Sequence, residues 1–129
     1  MTLAINATTR GSMLTTLNTA IGTSATLTIY NGTQPATGGT ATTALAALTC
    51  STTAFGTVSG AVLTANAIAS ATATATSTAT WFRIATSGAT QQIDGTVAAS
   101  GADLNLNTTA IVTGATVSVS SCVITAGNP

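Results

Sequence analysis

Four side chains carry a full charge in this 129-residue chain, and they limit the chemistry available to it: Arg10, Arg83, Asp94 and Asp103. The sequence has no histidine, lysine or glutamate, so its many serine and threonine hydroxyls lack the usual bases that activate a nucleophile. Two aspartates can in principle form the carboxylate pair of a hydrolase. We instead expect Asp94 to pair with Arg83 and Asp103 to cap a turn after Gly101, and we predict that the protein is not an enzyme.

One acidic and two amide side chains alternate near the end of the chain: Asp103, Asn105 and Asn107. Their oxygen atoms are ligands of the kind that a hard cation such as Ca²⁺ prefers. The segment lacks the second carboxylate and the glycine of an EF-hand loop. The favoured interpretation is that Asp103 caps the turn after Gly101. We therefore predict neither a metal nor another cofactor.

Two cysteines, Cys50 and Cys122, are 72 positions apart in the sequence and match no metal-binding or redox spacing. They permit a single disulfide if their Cα atoms come within about 4.4–6.8 Å. The alternative is a pair of buried thiols that act as small apolar side chains. The sequence favours the buried thiols and leaves the disulfide open.

Charge is scarce along the whole chain: 3% of the residues are charged and the formal net charge is +0, against about a quarter charged in an average domain. Nucleic-acid binding lacks the basic surface that neutralises phosphates. The chain has no run of 18 apolar residues and no signal-peptide pattern at its start, so we expect no membrane partner. A net charge near zero favours association, and we expect a homo-oligomer.

Threonine makes up roughly a quarter of the residues, and its branched Cβ favours strands over helices. Hydrophobic residues reach 45%, but much of this is alanine and only 3% is aromatic, so we expect a thin core and marginal stability for an isolated monomer. One helix is predicted at about 10–21, with Thr9 or Ser12 as its N-cap and Gly22 after its end. Its apolar stripe comprises Met13, Leu14, Leu17, Ala20 and Ile21.

Alternating residues predict short strands along the rest of the chain. Residues 1–9, with Leu3 and Ile5, form either an extended N-terminal arm or a first strand. The remaining predicted strands lie at about 26–30, 44–50, 60–65, 71–84, 91–97, 104–107 and 117–122, with an exposed loop at 33–43. The segment at 71–84 is either one long strand or two bent ones. We predict that residues 1–129 form a single, mainly β domain, an antiparallel β-sandwich of jelly-roll-like type with one short N-terminal helix.

The hairpin that begins at Trp81 holds the largest side chains of the chain. Alternation places Trp81 and Arg83 on one face and Phe82 and Ile84 on the other. If Phe82 and Ile84 fill the core, the Trp81 face is free for a partner. Trp81 with Tyr30 is also a possible platform for stacking a sugar, although two large core or interface residues are the favoured interpretation.

Arg83 and Asp94 are expected to meet across this hairpin. A turn near Gly88 brings the two strands together, which places Asp94 opposite or diagonal to Arg83 and predicts a cross-strand ion pair. In an environment poor in water such a pair fixes register rather than adding stability. Gly95, directly after Asp94, is expected to mark a β-bulge.

Four segments of the chain, at 27–39, 79–84, 94–97 and 101–107, together resemble a family of small Thr/Ala-rich proteins encoded among the structural genes of tailed bacteriophages. The segments read LTIYNGTQPATGG, ATWFRI, DGTV and GADLNLN, and the helix ahead of the Tyr30 strand fits as well. The resemblance implies a capsid cement or decoration protein made in the host cytoplasm. It would stabilise the exterior of the virion, with the major capsid protein and copies of itself as partners.

Within this resemblance, the expected contact residues are Trp81, Arg83 and Asp94, with Leu3 and Ile5 in an N-terminal arm. Two other functions remain open. One is a carbohydrate-binding or adhesive module of a phage fibre or cell surface, which needs an aromatic-lined groove with convergent polar groups. The other is a tail or filament subunit that assembles with its own kind.

Overall fold

A computed structural model of the chain describes residues 3–36 and 38–127, and these residues form one helix and eleven strands. The elements confirm the predicted mainly β, sandwich-like class with one short N-terminal helix. The helix is α1 (Ala7–Ile21), and the strands are β1 (Thr26–Tyr30), β2 (Ala44–Thr49), β3 (Val62–Thr64), β4 (Ala71–Thr72), β5 (Ser77–Thr78), β6 (Trp81–Ala85), β7 (Gln91–Ala98), β8 (Leu104–Leu106), β9 (Ala110–Ile111), β10 (Thr116–Val117) and β11 (Val119–Thr125).

Helix α1 begins earlier than the sequence predicts. Its N-cap is Asn6, whose Oδ1 accepts a hydrogen bond of 2.8 Å from the backbone N–H two residues ahead. Thr9 and Ser12 therefore lie inside the helix, and the prediction that one of them caps it was wrong. Asparagine is as good an N-cap as serine or threonine. Asn6 precedes Thr9 and Ser12 in the chain, so the helix begins after Asn6. The predicted end is confirmed, because Gly22 follows the helix with φ 72°.

The buried stripe of α1 is narrower than predicted. Leu14 and Ile21 are buried and Leu17 is partly buried, whereas Met13 is 53% exposed and Ala20 is also exposed. Residues three and four apart on a helix share a face, which explains why 14, 17 and 21 form one seam. Met13 belongs to the neighbouring face and reaches solvent.

The segment before the helix is not a strand. Residues 3–6 have no regular structure, so the first-strand alternative for 1–9 was wrong over these positions, and Met1 and Thr2 lie outside the described residues. Leu3 is 65% exposed and Ile5 is half-buried. Arg10 fixes the segment because its Nε donates a 3.0 Å hydrogen bond to the Ile5 carbonyl and its Nη1 donates to the Ala126 carbonyl at 2.6 Å.

Seven strands form one sheet in the order β2-β1-β6-β7-β8-β11-β3. The chain after β3 reaches the opposite edge of this sheet: the Ala69 N–H donates to the Thr49 carbonyl at 3.2 Å, and Ile68 forms a bridge with Cys50. The sheet therefore curls, because residues 68 and 69, which follow the edge strand β3, pair with residues 49 and 50 at the end of the opposite edge strand β2. Two small sheets, β10-β4 and β5-β9, complete the strand pairing of the described chain.

One pair in the seven-stranded sheet is parallel, which departs from the antiparallel prediction. Val97 pairs with Leu104 and Ala98 with Asn105 in the same direction. Parallel neighbours ordinarily need a connection of about a dozen residues or more, whereas residues 99–103 suffice here. Gly101 within this link has φ 76°, a conformation that glycine adopts without a steric penalty.

The segment at 71–84, expected to be one long strand or two bent ones, is divided into three strands, β4, β5 and β6. Its alternation is nonetheless confirmed, since Ala73 and Ala79 are buried and the threonines between 72 and 80 are exposed. The division arises because the segment changes partners along its length, pairing first with β10, then with β9, and finally with β1 and β7.

The core contains more large side chains than the alanine-rich composition suggests. Strands β1, β2 and β6 each contribute at least two fully buried residues, and Ile21 of the helix joins them. The largest fully buried side chains are Trp81, Phe55, Phe82, Ile21, Leu27, Ile29, Leu45, Leu48, Leu63, Ile84, Leu104 and Leu106. Nearly every strand therefore directs an aliphatic or aromatic residue inward, as strand periodicity requires.

Candidate functional site

The predicted ion pair between Arg83 and Asp94 is confirmed. Strands β6 and β7 place the two residues directly opposite each other. Arg83 donates from Nε to Asp94 Oδ1 at 2.7 Å and from Nη2 to Oδ2 at 2.8 Å, the bidentate geometry of a strong charge-assisted pair. The side chains are 14% and 4% exposed. Hydrogen bonding to Asp94 raises the pKa of Arg83 above its ordinary value, against the opposing effect of burial.

Trp81 does not present a free face. Its side chain is 1% exposed, and its ring stacks on Tyr30 with centroids 4.4 Å apart and planes 15° from parallel. Trp81 Nε1 donates 3.0 Å hydrogen bonds to the Asn31 carbonyl and to Thr42 Oγ1. The expected open Trp81 face was therefore wrong, because the loop between β1 and β2 covers the ring, and the same burial rules out the possible sugar platform on Trp81 and agrees with the favoured interpretation of Trp81 as a large core residue.

Arg83 also holds this loop. Its Nη2 donates a 3.0 Å hydrogen bond to the Gly39 carbonyl, and its Cζ lies 5.3 Å from the centroid of the Trp81 ring. Asn31 fixes the start of the loop, since its Oδ1 accepts from the Thr43 N–H at 3.2 Å. The loop is thus attached to the sheet through an aromatic pair and an ion pair.

Gly95 does not form the predicted bulge. It pairs directly with Phe82, and the irregularity in this hairpin lies instead between Ile84 and Ala85 of β6. A Cβ at position 95 would lie 2.6 Å from Phe82 Cε1 and 2.8 Å from Cζ. Glycine is needed because the Phe82 ring crosses over this point of β7, which is the close approach that a strand glycine also signals.

Asp103 binds a strand rather than the turn before it. Its Oδ2 accepts from Thr96 N at 3.2 Å and from Thr96 Oγ1 at 3.0 Å. The turn after Gly101 is capped by Asn105, whose Oδ1 accepts from the Ala102 N–H at 3.1 Å, so the expected cap was wrong. Both oxygens of Asp94 accept from Arg83, so the Asp94 carboxylate is engaged in the ion pair, whereas Asp103 binds Thr96.

The amide oxygens of Asn105 and Asn107, which the sequence offered as possible cation ligands, are used by the fold. Asn105 Oδ1 accepts from the backbone as described, and Asn107 Oδ1 accepts from the Ser118 N–H at 3.2 Å. These oxygens therefore support the turn and the β10–β11 region rather than converging with Asp103. Across residues 3–36 and 38–127, no three His, Cys, Asp or Glu side chains cluster as metal ligands do.

Cys50 and Cys122 are buried free thiols, which confirms the favoured interpretation. Burial raises the pKa of Cys50, and it raises the pKa of Cys122 to about 12, with smaller contributions from Cys50 and Asp103. A thiol with so high a pKa is protonated at neutral pH and is a poor nucleophile.

An open groove lies on the outer face of β1 and β6, beside the ion pair. We call it the Tyr30 groove, and its volume is about 300 Å³. The sequence did not predict this groove, although the alternation in β1 contained a signal: Leu27 and Ile29 enter the core, so the residues that alternate with them face outward. Its lining comes from β1, from β6 and from the turn after β6, and includes Thr26, Thr28, Tyr30, Arg83, Thr86 and Ser87.

The fold of the described residues includes no helix with the length and hydropathy needed to span a membrane. Comparison of the chain with known protein families, with curated proteins and with solved structures gave no match.

Proposed function

We propose that this protein is a structural subunit that binds the exterior of a bacteriophage capsid as a cement or decoration protein, with the major capsid protein and neighbouring copies of itself as partners. The observation that carries the proposal is the near absence of charge on the surface. Arg83 and Asp94 neutralise each other and are largely buried, which leaves Arg10 and Asp103 as the remaining charged side chains.

The surface consists largely of hydroxyl groups and small apolar groups. The threonines of 72–80 face outward, and the largest exposed apolar side chains on the described surface are Leu3, Met13 and Val112. Each contact that such groups make is weak. A shell presents the same site many times at high local concentration, so repeated weak contacts suffice for stable attachment.

The proposed contact residues change once the burial of the hairpin is known. Trp81 is covered by its own chain. Arg83, which Asp94 holds in place, donates to the Gly39 carbonyl of the covering loop, so the role of this ion pair in the monomer is to fix a rigid surface. Leu3 remains in the proposed contact set and Met13 joins it, whereas Ile5 is half-buried and supports the segment that carries Leu3.

The test is the location of the protein in particles purified from cells that make it together with its neighbouring structural proteins. Mass spectrometry of separated immature heads, mature heads and tails should find stoichiometric copies on mature heads. Because the contacts carry little charge, attachment should survive 1 M salt, at which the Debye length is about 3 Å. Absence from heads overturns the proposal, and presence in tails or in pure filaments supports the self-assembling alternative instead.

Contact variants sharpen the test. Leu3→Ser and Met13→Ser should each reduce the number of copies retained by mature heads, because each removes an exposed apolar side chain. Thr57→Ser, at an exposed position that loses only one methyl group, is the matched control and should leave retention unchanged. Equal retention of all three variants would contradict the assignment of these residues to the interface.

A further inference from the structure

The Tyr30 groove gathers polar groups that the fold does not use. Across the described chain, the hydroxyls of Thr26, Thr28, Tyr30 and Ser87 have no hydrogen-bond partner, although all four residues line the groove. Arg83 uses Nε and Nη2 for Asp94 and Gly39, so its Nη1 has no partner within the same residues. Among residues 3–36 and 38–127, by contrast, no buried side-chain nitrogen or oxygen atom lacks a hydrogen-bond partner.

We propose that the Tyr30 groove binds one neutral sugar unit, with the hydroxyls of Thr28 and Tyr30 and the Nη1 of Arg83 as its polar contacts. A sugar hydroxyl both donates and accepts, as threonine and tyrosine hydroxyls do. A groove of about 300 Å³ lies at the lower limit of small-molecule sites, which suits a single ring rather than a long oligosaccharide. The methyl groups of Ala85 and Ala89 add apolar surface for the C–H face of the ring.

The charge balance of the groove favours a neutral ligand over an anion. Arg83 is the one cationic side chain of the lining, and the Asp94 carboxylate already binds it through two hydrogen bonds. An anionic ligand would gain little net attraction and would meet repulsion from Asp94. A neutral polyol instead accepts from Nη1 without displacing the pair, so the net charge of the site stays at zero.

The groove is also preorganised, which lowers the entropic cost of binding. Tyr30 is held by stacking on the buried Trp81, and Arg83 is held by Asp94 and the Gly39 carbonyl. Binding of a sugar here does not depend on the proposed capsid role. It differs from the possible Trp81 sugar platform that the sequence left open, because Trp81 does not line the groove and only supports Tyr30 by stacking.

The experiment is a two-dimensional ¹H–¹⁵N NMR titration of the full chain with glucose, galactose, mannose and N-acetylglucosamine, with glucuronate as the anionic comparator. At least one neutral sugar should give saturable shifts centred on β1, β6 and the turn at 86–90. Thr28→Val and Tyr30→Phe should each weaken that binding by about three- to tenfold, the usual loss for one hydrogen bond. Thr72→Val, at an exposed threonine of β4 outside the groove, should bind as the unaltered chain does.

Several outcomes would overturn the proposal: no saturable shift with any neutral sugar, shifts centred elsewhere, binding of glucuronate alone, or equal affinity in Thr28→Val, Tyr30→Phe and Thr72→Val. Unchanged spectra of the unliganded variants away from the substituted site show that the fold is intact. Failure of sugar binding leaves the copy number on mature heads unaffected, so the two proposals fail separately.

Discussion

Replacement of Gly95 by alanine should destabilise the protein, although alanine is ordinarily the better residue in a strand. The new Cβ would lie 2.6 Å from Phe82 Cε1 and 3.2 Å from Asp103 Oδ2. Carbon atoms ordinarily approach to about 3.5–4.0 Å, so the ring or the strand must move by about 1 Å. Phe82 is 0% exposed and surrounded by core residues, which leaves the ring little room to move.

The magnitude follows from two opposing effects. Overpacking costs about 1–3 kcal/mol, and this site belongs near the upper limit because the contact is made with a fully buried ring. The lower chain entropy of alanine returns about 0.5–1 kcal/mol. A net loss of about 2 kcal/mol remains, which lowers the Tm of a chain of this length by about 6–10 °C.

The assay is urea and thermal unfolding of Gly95→Ala beside Gly88→Ala, where the nearest atom to a new Cβ is Thr86 Oγ1 at 3.7 Å. The control should be neutral or slightly stabilised. In a Phe82→Leu background the substitution at 95 should cost at least about 1 kcal/mol less, since the two sites are in contact. Equal stability of Gly95→Ala and Gly88→Ala, or strict additivity with Phe82→Leu, would refute the account of Gly95.

Two further predictions concern the ion pair and the thiols. Arg83→Met should lower the free energy of unfolding in urea by about 3–5 kcal/mol, because it leaves the 4%-exposed Asp94 carboxylate without its partner. The double variant Arg83→Met with Asp94→Leu should lose clearly less. A loss under about 1 kcal/mol for the single variant would contradict this prediction, since losses that small are typical of solvent-exposed ion pairs. Burial raises the pKa of Cys122 from 9.0 to about 12, so the unfolded chain releases its thiol proton first, and the free energy of unfolding should fall as pH rises from 9 towards 12. Cys122→Ala should reduce this slope, and an identical slope in both proteins would contradict the burial of the thiol.

The sequence was most informative where neighbouring residues determine the structure. The β6–β7 hairpin has a short turn, so alternation and the turn were enough to predict that Arg83 and Asp94 meet across it, opposite or diagonal, and to separate Phe82 from Trp81; the structure shows that Arg83 and Asp94 lie directly opposite each other. The strands at 26–30 and 91–97 were likewise predicted within one residue of their observed bounds. Each of these results depends on period-two alternation and a nearby turn, which are local properties.

The errors arose where distant segments decide the outcome. Nothing in the hairpin shows that the chain near Asn31 and Thr42 will cover Trp81, so the aromatic face looked available for a partner. Gly95 was ambiguous in the same way, because a strand glycine signals either a bulge or a close approach, and the choice depends on which atoms lie opposite. The two-residue strand β9 was missed because its pairing with β5 is visible only in three dimensions.

The order of strands in the large sheet has a consequence for how the chain reaches this structure during synthesis. Strand β1 pairs with β6, where Thr26 meets Ala85, and β3 pairs with β11, where Thr64 meets Val123. Pairings over such sequence separations form slowly because a long loop must close before they contribute. In the first half of the chain, β1 and β3 therefore emerge from the ribosome before their partners β6 and β11. Strand β3 can pair only after β11 is made. We expect nascent chains to expose uncharged Thr/Ala strand edges until then, which makes the interval before β11 emerges the period of greatest aggregation risk.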